Sequence, residues 1–403
     1  MGARNAGQGG QQHERRGDAR VAARAPLPRG VEFPRMGDGA RAYHRWRLIL
    51  SGARLGLTAL VLALGVRAAA GPARPPVPAH WPGLAQVVLI ELAILGFAVQ
   101  LATAPLSVIV GYELPRRFGL LHQPWRHWLA DRAKGLAISG LLALVAFEVL
   151  YALLRSTPRW WVAAAAIFFA GDVLRTAVAP IWLFPLFYRL TPLRDTGLQD
   201  RLLALARRAG VPVLGVWVGD QSRKSRTANG TVAGLGRTRR MILWDTLLTQ
   251  FTPDEIEFVL AHELGHHAHG DVRRMLALQG ALAFGKFWLA DRFLRLGGPL
   301  WRLDGLADPA GLPWLALVLM VLGLAAAPIA NAYSRRIEAE ADDFALALTQ
   351  NVPAFRGALE RLARLNLSKR RPSRLEELLL YTHPSVDRRI ARQLAAPGLP
   401  LRP

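Results

Sequence analysis

The stretch "TPDEIEFVLAHELGHHAHGD", Thr252–Asp271, holds four of the chain's ten histidines within eight positions, beside a glutamate. Thr252, Pro253 and Glu255 spell a helix start: a threonine cap, a proline in the first helical position and a glutamate that closes a capping box. On the helix that follows, His262 and His266 lie four apart, on one face and within a turn of each other, so both imidazoles reach one metal ion. Glu263 follows the first histidine and reaches a metal-held water as general base. A His-Glu-x-x-His match arises by chance in about one or two chains per hundred of this length, and the preceding cap narrows that further. The competing reading, a solvated histidine-rich helix, would leave Leu260, Ala261 and Leu264 as its only packing face.

The chain has no cysteine, so there is no disulfide, no thiolate nucleophile and no thiolate ligand. A tetrahedral site needs a third ligand, from His, Asp or Glu, and leaves its fourth position for water. "NAYSRRIEAEADDFALAL", Asn331–Leu348, offers Glu338, Glu340, Asp342 and Asp343 on a second predicted helix. Glu338 and Asp342 share a face. One can ligate while the other orients a ligand histidine, and spacing alone does not decide which. His267 and His269 point away from the His262/His266 stripe and read as supporting or surface residues.

Around this pair of helices the composition is that of a membrane protein. Hydrophobic residues make up 52% of 403 and mean hydropathy is positive, which suits a helical membrane bundle with a modest soluble part. The net charge of +22 is nearly all arginine. It flanks long apolar runs rather than forming an aromatic–basic platform, so nucleic acid is not expected as a partner. Residues 1–46 read as a disordered basic tail with Met36 as an alternative start. Neither a myristoylation signal nor a cleaved secretory leader is expected, since Ala6 stands where a hydroxyl is needed and the first apolar run comes late.

Six apolar runs are expected to cross the bilayer: Leu48–Val66, Leu84–Gly111, Gly135–Leu154, Trp160–Leu190, Leu276–Leu296 and Leu312–Ala332. Trp160–Leu190 is long enough for one kinked helix or a tight hairpin, which would make seven. The expected organisation is an N-terminal transmembrane region (47–190), a catalytic segment with the histidine-rich helix (191–275), a transmembrane helix pair (276–333) and C-terminal catalytic helices (334–403). Basic residues crowd the tail and the loop holding Arg116, Arg117, Arg126, Arg132 and Lys134. The catalytic segments are therefore expected on the cytoplasmic side, with the side of the N-terminus depending on six or seven spans. Glu91, Glu148, Asp172, Arg175, Lys286 and Asp291 fall within the runs and are expected to face protein or a water-filled space.

Several further stretches, in order, carry a resemblance. They are "FGLLHQPWRHWLADRAKGL" (Phe118–Leu136, with Asp131 and Lys134), "LFPLFYRLTPLRD" (Leu183–Asp195), "TANGTVAGLGRTRRMILWDTLL" (Thr227–Leu248), "SRRIEAEAD" and "HPSVDRRI" (His383–Ile390). With the histidine motif they resemble the integral-membrane zinc metalloproteases typified by the type I CAAX prenyl endopeptidases. HtpX-type quality-control proteases are more distant relatives. The resemblance implies a mainly α, polytopic bundle enclosing a chamber, with a cytoplasmic zincin-like α+β part carrying a small sheet. It implies one Zn2+ per chain on His262, His266 and Glu338, with Glu263 as base and Asp342 behind a ligand. It also implies that His383 stabilises the oxyanion, with Arg389 nearby, and that Asn229, Gly230, Thr231, Val232, Ala233 and Gly234 form a substrate-binding edge strand.

The expected activity is endopeptidase cleavage of membrane-associated peptides or proteins, in a bacterial cytoplasmic membrane. An HtpX-like quality-control protease is the alternative within the class; an inactive zinc-binding scaffold or a transporter is the alternative outside it. Intact Glu263 weighs against a retired scaffold, and the lack of symmetric halves weighs against a transporter. Oligomeric state is not legible.

Overall fold

The computed structural model describes residues 36–71, 81–178, 182–234 and 236–395. Its first half is helical: α1 (Met36–Ala69), α2 (Trp81–Val108, continued by a π-helical turn), α3 (Leu114–Arg117), α4 (Trp125–Ser156), α5 (Trp160–Val178) and α6 (Phe184–Phe187). A mixed segment follows, with β1 (Leu190–Pro192), α7 (Thr196–Arg208), β2 (Val216–Gly219), β3 (Gly230–Ala233), β4 (Arg240–Trp244), α8 (Asp245–Gln250) and α9 (Pro253–Ala268). The remainder is α10 (Asp271–Leu300), α11 (Leu312–Thr349), α12 (Val352–Leu365), α13 (Arg374–Leu380) and α14 (Val386–Ala395).

Among the described residues five helices, in α1, α2, α4, α5 and α11, are long and apolar enough to cross a membrane. Five of the six expected apolar runs fall in these helices. The Leu276–Leu296 run forms part of α10, but Lys286, Asp291, Arg292 and Arg295 interrupt its apolar stretch. The helix packs along α5 and α11 through buried Phe287, Ala290 and Leu294, and leaves Phe284, Trp288, Phe293 and Leu296 exposed. Of the Trp160–Leu190 run, Trp160–Val178 forms α5 and Phe184–Phe187 the short α6.

Two expected boundaries also move. α1 starts at Met36, inside the segment read as a disordered tail, because distant residues order it. Tyr43 is buried with its ring 5.4 Å from that of Phe118, and His44 Nε2 lies 2.8 Å from the Leu367 carbonyl oxygen. Residues 1–35 lie outside the described residues. α11 runs unbroken across the expected boundary at 333/334. "NAYSRR" changes the polarity of the helix surface but contains no helix breaker, so the apolar span and Glu338 share one rigid rod.

The sheet has the order β1-β2-β4-β3, with β2 and β4 parallel and the outer pairings antiparallel. β3 is therefore an edge strand. α9 lies close beneath it: a Cβ on Gly230 would meet Leu260 Cδ2 at 3.0 Å and Val259 Cγ1 at 3.3 Å. Glycine at 230 lets the strand sit directly on the histidine-bearing helix. The core of this half joins α7, the sheet, α9 and α12, with Leu202, Leu243, Leu260 and Phe355 nearly fully buried. A second core, around Trp160, Ala164, Phe287 and Leu315, joins the membrane helices.

Charges inside the bundle are largely partnered, as their cost in lipid requires. Asp291 is buried; its Oδ1 accepts from Trp160 Nε1 at 2.8 Å, and its Oδ2 from Arg295 Nε at 2.8 Å. Asp172 pairs with Arg175 at 3.1 Å. Glu148 keeps one buried carboxylate oxygen without a hydrogen bond among the described residues. Replacement Asp291→Ala strands the Trp160 donor, while Arg295, 43% exposed, finds other partners. Unfolding in detergent is expected to show a loss of about 2 kcal/mol, with Asp291→Asn retaining about half of it.

Candidate metal centre

The start of α9 is fixed by the capping box read from the sequence. Thr252 Oγ1 accepts from the Glu255 N–H at 3.3 Å, and the Thr252 N–H donates to Glu255 Oε2 at 2.9 Å. Further along, the His262 and His266 rings stand 4.8 Å apart between centroids. α11 crosses behind them at Gly265. A Cβ there would meet Phe344 Cδ1 at 3.1 Å and the Ala341 backbone at 3.4 Å, and Ala341 and Ala345 are wholly buried. Small residues on both helices let the axes approach until Glu338, about one turn before Ala341, reaches the imidazoles.

The three groups converge. Glu338 Oε2 lies 3.1 Å from His262 Nε2, and Glu338 Oε1 lies 3.5 Å from His266 Nε2. All three ligand atoms fall within 4.8 Å of one another. A tetrahedral zinc site with bonds of about 2.0–2.1 Å holds neighbouring donors roughly 3.4 Å apart, so the donor set fits such an ion. Glu338 Oε2 is buried and makes no hydrogen bond among the described residues despite its nearness to His262. A buried carboxylate oxygen of that kind is costly unless a cation satisfies it.

Behind each histidine stands the same arrangement. His262 Nδ1 lies 3.0 Å from Asp342 Oδ1, and Asp342 Oδ2 accepts from Arg389 Nε at 2.8 Å. His266 Nδ1 lies 2.9 Å from Asp271 Oδ2, and Asp271 Oδ1 accepts from Arg274 Nη1 at 2.8 Å. Each carboxylate accepts a hydrogen bond from Nδ1–H, which leaves the Nε2 lone pair facing Glu338 and free for a cation. Spacing left open which acid of α11 does what, and the distances divide the roles: Glu338 faces both Nε2 atoms, Asp342 a single Nδ1. Asp271 and Arg274 were not foreseen, although an acid five residues past His266, in the quoted stretch itself, was a signal. Arg389, expected near the same site as His383, pairs with Asp342, lies 3.5 Å from His262 Nδ1, and lines a cavity with His383 and Glu263.

Glu263 lines two cavities, of about 920 and 540 Å³; His262 lines the larger, His266 and Glu338 the smaller. The expectation that Asp172 faces a cavity holds, since it lines the smaller one together with Arg175; Glu148 does not line either. Burial pushes the Glu263 carboxyl above its ordinary value, against the pull of His262 and His266, which moves it toward the range useful for proton transfer. His383 stands at the rim of the larger cavity, its Nε2 3.2 Å from Glu338 Oε1.

The expected substrate strand, Asn229–Gly234, is β3 with its two flanking residues. The Trp244 N–H donates to the Asn229 carbonyl at 3.1 Å. Alternation then points Asn229, Thr231 and Ala233 toward β4, and turns the backbone groups of Gly230 and Val232 to the open edge. His267, read as a supporting residue, holds that edge. Its Nε2 donates to the Val232 carbonyl at 2.9 Å, while its Nδ1 accepts from Arg239 Nε at 3.1 Å. Burial lowers its pKa, which suits a neutral ring with one donor and one acceptor.

Comparison with known proteins gives consistent matches. Residues 192–396 match the model of peptidase family M48. Residues 56–189 match a model described as CAAX prenyl protease N-terminal, five membrane helices. The chain is 31% identical over 302 residues to the uncharacterized metalloprotease YhfN of Bacillus subtilis, covering 74% of this chain and 71% of that one. It is 29% identical over 203 residues to CAAX prenyl protease 1 of Saccharomyces cerevisiae, covering 48% and 44% respectively. Its fold resembles the crystal structure of S. mikatae Ste24p, with a TM-score of 0.74 at 24% identity over 88% of both chains.

The electrostatics of the metal-free triad make loading pH-dependent. Burial lowers the pKa of His266, but Asp271 and Glu338 outweigh it and push the value up to about 10 from 6.5. A raised pKa means that the proton stabilises the metal-free fold fully below 6.5, and that this contribution fades as pH rises through about 10. A divalent cation must displace that proton. Calorimetry at pH 7.5, in buffers of different ionisation enthalpy, is expected to register about one proton or more released per ion. Metal retained after dialysis is expected to fall steeply toward pH 5.5.

Proposed function

The chain belongs to peptidase family M48, in its membrane-embedded CAAX prenyl protease type, and from this we propose that His262, His266 and Glu338 hold one zinc ion per chain for cleaving membrane-associated peptides or proteins. That the chain is a metallopeptidase follows from the family. The identity of the ion, its ligands and the substrate are the proposal. The observation that carries it is the meeting of two Nε2 atoms and one carboxylate from separate helices, with a buried carboxylate oxygen otherwise unsatisfied.

Bound there, zinc would supply Lewis-acid polarisation of the scissile carbonyl and lower the pKa of a water beside it. The chain's own residues account for the remaining steps. The open edge of β3 offers the Gly230 carbonyl and the Val232 N–H to an extended peptide, in the manner of strand addition, while His267 holds the Val232 carbonyl. Glu263 takes the proton of the attacking water and passes it to the leaving amine nitrogen as the C–N bond breaks. His383 Nε2, on the Glu338 side of the site, donates to the developing oxyanion. Asp342 with Arg389, and Asp271 with Arg274, keep the two ligand rings from turning. The arginine distribution supports a bacterial cytoplasmic membrane with this site on the cytoplasmic face.

Two variants test these roles on the purified, metal-analysed enzyme. Glu263→Ala is expected to keep its zinc while kcat on a cleaved peptide falls by about 10²–10⁴. His383→Phe should lower kcat by about 10²–10³ with little change in KM. Undiminished cleavage by Glu263→Ala, or wild-type protein purified active without metal, would remove the proposal.

A further inference from the structure

The short helix α13 leaves Leu375, Leu378, Leu379 and Leu380 exposed, at 65, 48, 40 and 53%, although it is tightly held. Ser373 caps it, accepting from the Glu376 N–H at 3.1 Å. Glu377 on its inner side is buried and pairs with Arg388 at 2.9 Å. From α11, Arg335 Nη1 donates to the carbonyl oxygens of Glu377 and Tyr381 at 2.9 and 2.7 Å, and Asn331 Nδ2 donates to that of Leu379 at 2.8 Å. A fixed helix that turns four adjacent leucines outward marks an interaction surface.

What covers that surface follows from its height on the membrane helices. The apolar run of α11 ends at Ala332, so the bonds from Asn331 and Arg335 fasten α13 where that run meets polar residues. On the far side, the apolar run of α1 begins at Leu48, and Leu48, Ser51, Leu380 and Tyr381 line the same cavity. Two separate helices thus set α13 at one level, the membrane–water boundary. Leu324 and Ile329, within the apolar run of α11, are exposed as well. Arg374 on α13 and Arg47 on α1 are exposed at the same level, where cations meet lipid phosphates.

We propose that α13 is an interfacial helix whose leucines lie in the acyl boundary of the leaflet on the catalytic side, so that the larger cavity opens onto lipid between α1 and α13. That cavity is lined by Glu263 and His383 at its other end. The consequence for substrates rests on the protease reading above: a lipid-anchored peptide enters from the leaflet without leaving it. The position of α13 itself does not depend on that reading.

The chain has no cysteine, so Leu378→Cys takes a single environment-sensitive fluorophore in proteoliposomes. Leu214→Cys, at an exposed position between α7 and β2, serves as the aqueous control. The label at 378 is expected to emit to the blue of the control and to be quenched by acyl-chain nitroxide lipids, but not by iodide. Iodide quenching equal to the control overturns the proposal. So does shielding that disappears on dilution into excess lipid, which would mean that a second copy covers the face. Combined Leu375→Gln, Leu378→Gln and Leu379→Gln is expected to lower kcat/KM at least about tenfold for a lipid-anchored peptide, and to leave the same peptide without its anchor unaffected. Equal losses on both peptides overturn the lateral opening. Absence of cleavage by the wild-type enzyme would count against the protease reading alone, since the fluorescence result stands apart from it.

Discussion

The close crossing of α9 and α11 is the constraint from which the site follows. Two histidines one turn apart are a local property of a helix. A carboxylate brought to them from another helix is not, because it requires the axes to meet at one height and at short range. Gly265 and Ala341 supply the range by removing side chains from the contact. The capping box at Thr252 and the beginning of α10 at Asp271 fix the ends of α9, so the contact cannot slide. Even a Cβ at 265 would press on Phe344 and Ala341 at 3.1–3.4 Å, and a larger side chain would push Glu338 away from the rings.

Charge balance is arranged around that crossing in a repeated way. A bare carboxylate behind each imidazole would be costly to bury. Here each carries an arginine, Arg389 on Asp342 and Arg274 on Asp271. Arginine suits the task because its guanidinium stays charged and offers several donors in a fixed plane. Part of the chain's large arginine content is thus structural to the site. Other arginines pair with acids elsewhere, such as Arg201 with Asp254 and Arg361 with Glu255 at the start of α9.

The membrane and the chemistry are joined by one element. α11 carries an apolar span and, without a break, the carboxylate that faces both imidazoles. The smaller cavity, lined by His266 and Glu338, reaches the membrane helix α5 through Asp172 and Arg175; the larger, lined by His262, runs between α1 and the C-terminal helices. Glu263 lines both. The reacting position is therefore built where bilayer helices and soluble core meet, rather than in a soluble domain tethered to a membrane.

Much of this was present in local sequence, because local sequence carries periodicity, capping and composition. The Thr252 cap, the shared face of His262 and His266, the membrane character of the apolar runs and the absence of thiolate ligands each follow from neighbours a few positions apart. Distant contacts decided the rest. Tyr43 and His44 order the start of α1 through Phe118 and Leu367. Contacts of Phe287, Ala290 and Leu294 decide that α10 lies along α5 and α11. Glu338 and Asp342 sit on one face with one spacing, so sequence alone could not divide their roles. Only the height at which α11 crosses α9 sets one against both Nε2 atoms and the other against a single Nδ1, because that height is fixed by packing between helices some seventy positions apart along the chain.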